Sequence, residues 1–260
     1  MTSADDTTVR YELSAFAAEG GEKHVNRDGW GIVFAEERDA HVFREAAPAA
    51  NSALARMVLE REIPCRHLLA HVRRASRGEA ILANTHPFTR IRQGRAQHFA
   101  HNGTLHGIED LPEATTLLPQ RVGDTDSELA FLVLLARLQN SDTSDKARFV
   151  VFARFSAEMR ELGSANFLFF DGITLFVHAD RRMFELPHGL SEPREPGLVM
   201  RHFRNRSDRR DWHASGPKMQ AVHPETIVFA SVPLDDESWE SLARGTALAL
   251  RDGRILARSA

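Results

Sequence analysis

Two helical segments in the middle of the chain constrain its fold more than any other feature. In DSELAFLVLLARLQN (126–140) apolar residues recur over a broad helical face, and Asp126 and Glu128 suit the positive end of the helix dipole. KARFVVFARFSAEMREL (146–162) predicts a second helix. On either side the chain reads as strands. WGIVFAEERDAHVFR (30–44) predicts two strands around a polar turn, and HLLAHVRRA and AQHFAHNG predict two more. Further on, SANFLFFDG and ITLFVHAD are joined by Asp-Gly in the position of a hairpin turn. TIVFASVPL adds a strand and LALRDGRIL a closing hairpin. A helix is expected within 49–62, capped by Asn51 or Ser52, and DDESWESL is expected to start another. Helices set between two groups of strands point to an α+β fold with a layered core.

At 260 residues the chain suffices for one large domain or two small ones. No shift in composition marks a linker, so a single domain over 1–260 is expected. A formal charge of −3 argues against nucleic acid as the main partner. No apolar run approaches the roughly 18 residues that span a bilayer, and MTSADDTTVRYE lacks the pattern of a signal peptide. The single cysteine, Cys65, excludes an intramolecular disulfide and a cysteine-built zinc site. These features predict a cytoplasmic protein with no membrane contact. The basic run RHFRNRSDRRDWH (201–213) is interrupted by Asp208 and Asp211 and reads as a solvated loop.

Four segments put polar groups beside apolar strands or turns: NRDGWGI (26–32), HVRRASRGEAILANTHPF (71–88), FAHNGTL (99–105) and GDTDSE (123–128). In FAHNGTL the strand is expected to end at His101, with Asn102-Gly103 forming a sharp turn. The Gly103 N–H and the Asn102 amide would then be two neutral donors suited to an oxyanion; an ordinary Asn-Gly turn is the plainer alternative. Arg73 offers a fork to a carboxylate, with Ser76 and the following glycine near the same anion. The alternative is a solvated arginine after a strand. Asp126 is placed to cap the helix, in competition with Asp124 and Thr125, or to receive an ammonium group. An arginine for a carboxylate and an aspartate for an amine would together read an amino-acid backbone.

In this order DGWG (28–31), HVRRASRG (71–78), NTHPF (84–88), AHNGTL (100–105) and TDSE (125–128) resemble the class II glutamine amidotransferases of the N-terminal-nucleophile hydrolase superfamily. The resemblance is to small stand-alone members and covers nearly the whole chain, ASVPLDDESW (230–239) included. It implies a four-layer αββα sandwich of two antiparallel sheets. It also implies cysteine thiolate attack on the side-chain amide of glutamine, with the cysteine's own α-amine as base, through a thioester. Carried across, Asn102 and Gly103 form the oxyanion hole, Arg73 binds the α-carboxylate and Asp126 the α-amine, and Ser76 and His86 line the pocket. No cofactor or metal is implied. The expected partners are glutamine or a γ-glutamyl amide, an ammonia-accepting synthase and a second copy of the chain as a homodimer.

One departure from the family bears on activity. Relatives carry the nucleophilic cysteine after the initiator methionine, in a short apolar strand, whereas here Thr2 opens the polar stretch TSADDTTV, which reads as loop. The interval to DGWG is short by about one strand, roughly 5–6 residues. The expectation is that a Met-Cys-led strand belongs before Met1, and that the chain as it stands lacks glutaminase activity. The alternative is a pseudoenzyme that binds glutamine without hydrolysing it. Cys65 is expected to pack rather than react. A metal-dependent hydrolase built on His71, His86, His98, His101 and His106 is a weaker reading, because no HExxH-type spacing or accompanying carboxylate is present.

Overall fold

The computed structural model describes residues 1–11, 20–21, 26–61, 63–139, 144–204, 217–220, 225–234 and 238–259. The strands are β1 (Thr2–Tyr11), β2 (Trp30–Ala35), β3 (Ala40–Glu45), β4 (Pro64–Val72), β5 (Phe88–Arg92), β6 (Arg95–Leu105), β7 (Gly163–Phe170) and β8 (Leu175–His178). They continue with β9 (Glu185–Leu186), β10 (Gly189–Leu190), β11 (Val199–Phe203), β12 (Pro217–Gln220), β13 (Thr226–Ala230), β14 (Glu240–Ser241), β15 (Ala247–Arg251) and β16 (Arg254–Arg258). The principal helices are α1 (Ala53–Glu60), α2 (Asp126–Gln139) and α3 (Asp145–Leu162).

The strands form two large antiparallel sheets. The first runs β14-β11-β13-β1-β4-β2-β3, with β12 also on β1, and the second runs β16-β15-β8-β7-β6-β5. Three apolar clusters fill the spaces between layers. Ala55 and Val58 of α1 pack on Trp30, Ile32 and Leu68 of the first sheet. Val33 and Leu69 meet Phe170, Val177 and Leu248 between the sheets. Phe131 of α2 and Phe152 and Phe155 of α3 pack on Phe99, Phe167 and Phe169 of the second sheet, with the Phe99 and Phe131 rings stacked 5.2 Å apart. The order is helix, sheet, sheet, helices: the expected αββα sandwich. The broad apolar face of α2 follows from its position, since it contacts both β6 and α3.

Most elements lie where the pattern predicts them. Ser52 is the cap of α1, accepting the Ala55 N–H at 2.8 Å. Three expectations are corrected. The polar TSADDTTV is strand β1, inside the first sheet between β13 and β4. Its hydroxyls pair with one another there: Ser3 Oγ lies 2.9 Å from Thr7 Oγ1 and 2.8 Å from Thr226 Oγ1. A register shift between Thr2 and Thr7 leaves Asp5 and Asp6 exposed. DDESWESL forms no helix among its described residues; Glu240–Ser241 instead add a short edge strand to β11. Asn102 and Gly103 do not make a turn. They continue β6 to Leu105, opposite Asn166 and Ala165 of β7, and the chain turns only at Gly107. Of the basic run, Arg201–Phe203 belong to β11 and 205–213 lie outside the described residues.

Candidate active site

A cavity of about 1310 Å³ opens where β4, β6 and β13 come together, and Arg73, Ser76, His86, Asn102, Gly103 and Asp126 all line it. All six residues singled out in the sequence therefore meet at one place.

Gly103 has a steric reason to be glycine. A Cβ at this position would lie 1.8 Å from the Ser164 carbonyl oxygen and 2.6 Å from His101 Nε2. Its neighbour Asn102 is exposed to the cavity, so the carboxamide is available to a ligand. The backbone of Asn102 is held by Asn166, whose Nδ2 donates to its carbonyl at 2.9 Å.

The TDSE motif divides its tasks residue by residue. Thr125 takes the capping role, its Oγ1 accepting the Glu128 N–H at 3.1 Å. Asp126 is thereby released from capping and turns inward, where Oδ2 accepts the Leu105 N–H at 2.6 Å. Ser127 bonds His101 Nδ1 at 2.9 Å. Buried Glu128 accepts the N–H groups of Val122 and Gly123 and pairs with Arg90.

Arg73 is buried rather than solvated, 3% exposed. Its two terminal nitrogens face carbonyls: Nη1 donates to Asp28 and Glu79, and Nη2 to Arg77 and Gly78. The guanidinium thus shapes the 77–79 loop at the cavity rim while adding positive charge near Asp126. Ser76 Oγ lies 2.7 Å from Thr104 Oγ1, closing the rim onto β6. The other motifs brace this loop. Asp28 of DGWG accepts the Ala75 N–H at 2.7 Å, and Asn84 of NTHPF exchanges two hydrogen bonds with Asp124.

Three histidines crowd one side of the cavity. The rings of His71 and His86 meet at a tilt of 35° with centres 4.4 Å apart, and His86 meets Phe88 at 4.5 Å. Burial lowers all three below the ordinary histidine value: His71 to about 4, His86 well below the ordinary value, and His101 in the same direction. They are neutral at pH 7, able to donate or accept hydrogen bonds without adding charge. Among the described residues no group of three His, Cys, Asp or Glu side chains is arranged to hold a metal ion.

Cys65 sits in the cluster under α1, its thiol directed at the Thr7 carbonyl. Burial pushes its pKa up to about 12, the reverse of what a nucleophile needs. The sequence reading missed Asn166 and Thr104. Asn166 had a signal, a lone amide inside the apolar run SANFLFF; Thr104 had none.

The family model for class II glutamine amidotransferases matches residues 1–260. YafJ of Escherichia coli K12 is 37% identical over 176 residues, 66% of this chain and 68% of that protein. MJ1515 of Methanocaldococcus jannaschii is 32% identical over 249 residues, 95% of this chain and 67% of that protein. Among solved structures, a predicted glutamine amidotransferase from Pseudomonas aeruginosa PA01 superposes with a TM-score of 0.71 at 26% identity, covering 98% of this chain and 97% of that one. With motifs, layered sheets and cavity in agreement, the chain belongs to the class II glutamine amidotransferases.

Proposed function

We propose that the cavity binds the glutamyl part of glutamine or of a γ-glutamyl amide, and that its chemistry is hydrolysis of the side-chain amide. The observation that carries this reading is the convergence of Asn102, Gly103, Arg73 and Asp126 on one cavity. Asp126 provides a buried acceptor for the substrate ammonium. Arg73 supplies positive charge for the α-carboxylate, acting with the loop that it braces. The Asn102 amide and Gly103 N–H face the developing oxyanion.

The attacking group in this reading is a cysteine thiolate; the chain's single thiol, Cys65, is buried away from the cavity and does not supply it. In the reaction a carbon–sulfur bond forms as the carbon–nitrogen bond breaks, and ammonia or an amine leaves with the thiol proton. Water then cleaves the thioester, releasing glutamate and regenerating the thiol. Binding without turnover is the second reading, favoured by that same lack of a cavity thiol in the chain as it stands. A homodimer, and a synthase that takes up released ammonia, are the proposed partners, and a cytoplasmic setting is proposed as well. No helix among the described residues is long and apolar enough to cross a membrane.

The test adds a Met-Cys-led strand before Met1 and assays glutamate release from glutamine and from γ-glutamyl amides. Hydrolysis that needs the added cysteine supports the reading. Equal hydrolysis by the unextended chain, or none by the extended one, overturns it.

A further inference from the structure

His101, Ser127 and Asp126 form one hydrogen-bonded chain in the cavity wall, and they are 2%, 4% and 3% exposed. His101 Nε2 lies 2.9 Å from the Ser164 carbonyl oxygen, and Nδ1 lies 2.9 Å from Ser127 Oγ. Ser127 Oγ is in turn 3.3 Å from Asp126 Oδ1. The other carboxylate oxygen of Asp126 accepts the Leu105 N–H. Asp126 of α2 is the acid that faces the ring. His71 of β4 and His86 face it as neutral groups, and Phe167 of β7 lies 4.9 Å away. Arg73 of β4 stands near Asp126.

Each of these three contacts needs one proton, and a neutral imidazole with one hydroxyl supplies two. The Ser164 carbonyl only accepts, so Nε2 keeps the ring proton. The Ser127 hydroxyl then serves Nδ1 or Asp126, never both. A third donor has two possible sources. If the ring becomes imidazolium, Nδ1–H points at Ser127 and the hydroxyl turns wholly to Asp126. If an ammonium group sits on Asp126, it donates there and the hydroxyl turns wholly to Nδ1. The two sources oppose one another, because both put positive charge beside one buried carboxylate. The ring also bears on β6. His101 directly precedes Asn102, its backbone is bonded by the His71 ring, and Nε2 lies 2.6 Å from where a Gly103 Cβ would stand.

We propose that His101 and Ser127 are positioning residues, a hydroxyl relay through which an ammonium on Asp126 tightens the strand that carries Asn102 and Gly103. With the ammonium bound, the hydroxyl is committed to Nδ1. That leaves Nε2–H as the ring's one donor and fixes it on Ser164 of the opposite strand. β6 and β7 are thereby clamped beside the two oxyanion donors. A ligand without the ammonium leaves the hydroxyl shared and the clamp loose. Acid acts against the ammonium, since a protonated ring turns the hydroxyl onto Asp126 and opposes a second cation. Each effect changes the other by the same factor. The inference rests on the proposed function for the identity of the ammonium ligand; the proton shortage belongs to the chain itself.

The test reads the ring nitrogens of His101 by NMR at pH 7 in the chain as it stands. The probes are L-glutamine and its desamino analogue, glutaric acid monoamide. Nε2 should carry the proton, and L-glutamine should move the Nδ1 signal toward its hydrogen-bonded position. The monoamide should not move it, and neither probe should do so in Ser127→Ala. Glutamine affinity should also fall about tenfold as acid protonates His101. A proton on Nδ1 at pH 7, or bound glutamine that leaves the Nδ1 signal unmoved, would overturn the relay. So would an equal shift with the monoamide or in Ser127→Ala, or an affinity that holds through that protonation. Failure of glutamine to bind removes the proposed function instead. The relay is then judged by Asp126→Asn without ligand, which removes the charge that draws the hydroxyl and should move Nδ1 in the same way. An unmoved signal there overturns the relay.

Discussion

The side chain of Asn166 holds the carbonyl of Asn102 at 2.9 Å from the strand directly opposite. The same nitrogen donates to the Arg181 carbonyl at 2.8 Å, and Oδ1 accepts the Asp180 N–H at 2.8 Å. One buried amide thus ties the proposed oxyanion strand to the start of the 181–184 cavity wall. Replacing Asn166 by leucine strands two carbonyls and an N–H, and should cost about 3 kcal/mol of stability. Urea unfolding checks this; a loss below about 1 kcal/mol would show that these groups find other partners.

Gly103 should tolerate no side chain. In Gly103→Ala the new carbon meets the Ser164 carbonyl at 1.8 Å, and backbone rather than a flexible side chain must move. The expected destabilisation is about 3 kcal/mol, with the β6–β7 ladder disturbed. Unfolding that matches wild type would mean that the two strands are less closely apposed.

Cys65 should be inert. With a thiol pushed up to about 12, the thiolate fraction at pH 8 is negligible, and labelling by a disulfide reagent should follow the opening of β1 and β4 rather than reagent concentration. Labelling as fast as in the unfolded chain would contradict this. Cys65→Ala should leave any hydrolysis by a cysteine-extended chain unchanged.

Acid should unfold the chain through its buried histidines. Burial lowers His67 to about 3 and His71, His98 and His178 to about 4, against 6.5 unfolded. The unfolded chain therefore binds more protons than the folded one between these limits. Stability is complete above pH 6.5 and falls as pH drops from there toward 4. Near pH 5 each histidine should take up about one proton on unfolding, measurable from the slope of urea stability against pH. A flat profile between pH 7 and 5 would contradict neutral burial.

Repetitive patterning made the α+β class and its layered core legible, and the family resemblance supplied the four-layer sandwich. Apolar runs exposed most of the strands, and the broad apolar face of α2 is explained by its burial against both a sheet and a helix. β1 was concealed because its stability comes from hydroxyl pairs such as Ser3 with Thr226, 223 residues apart, which local composition cannot display. Asn102-Gly103 carried a strong turn signal, but the ladder to Asn166 and Ala165 overrides it. The cavity residues were readable as motifs, yet their division of labour was not. Only the three-dimensional arrangement has Thr125 relieve Asp126 of capping and the Arg73 fork brace its own loop.

The central proposal is a glutamyl-amide site in the cavity lined by Arg73, Asn102, Gly103 and Asp126. Intact-mass and peptide analysis of the cysteine-extended chain, after exposure to the diazoketone analogue of glutamine, tests it most directly. The account predicts one adduct, on the added cysteine, prevented by excess L-glutamine and weakened by Asp126→Asn. An adduct on Cys65, or none on the added cysteine, would contradict it.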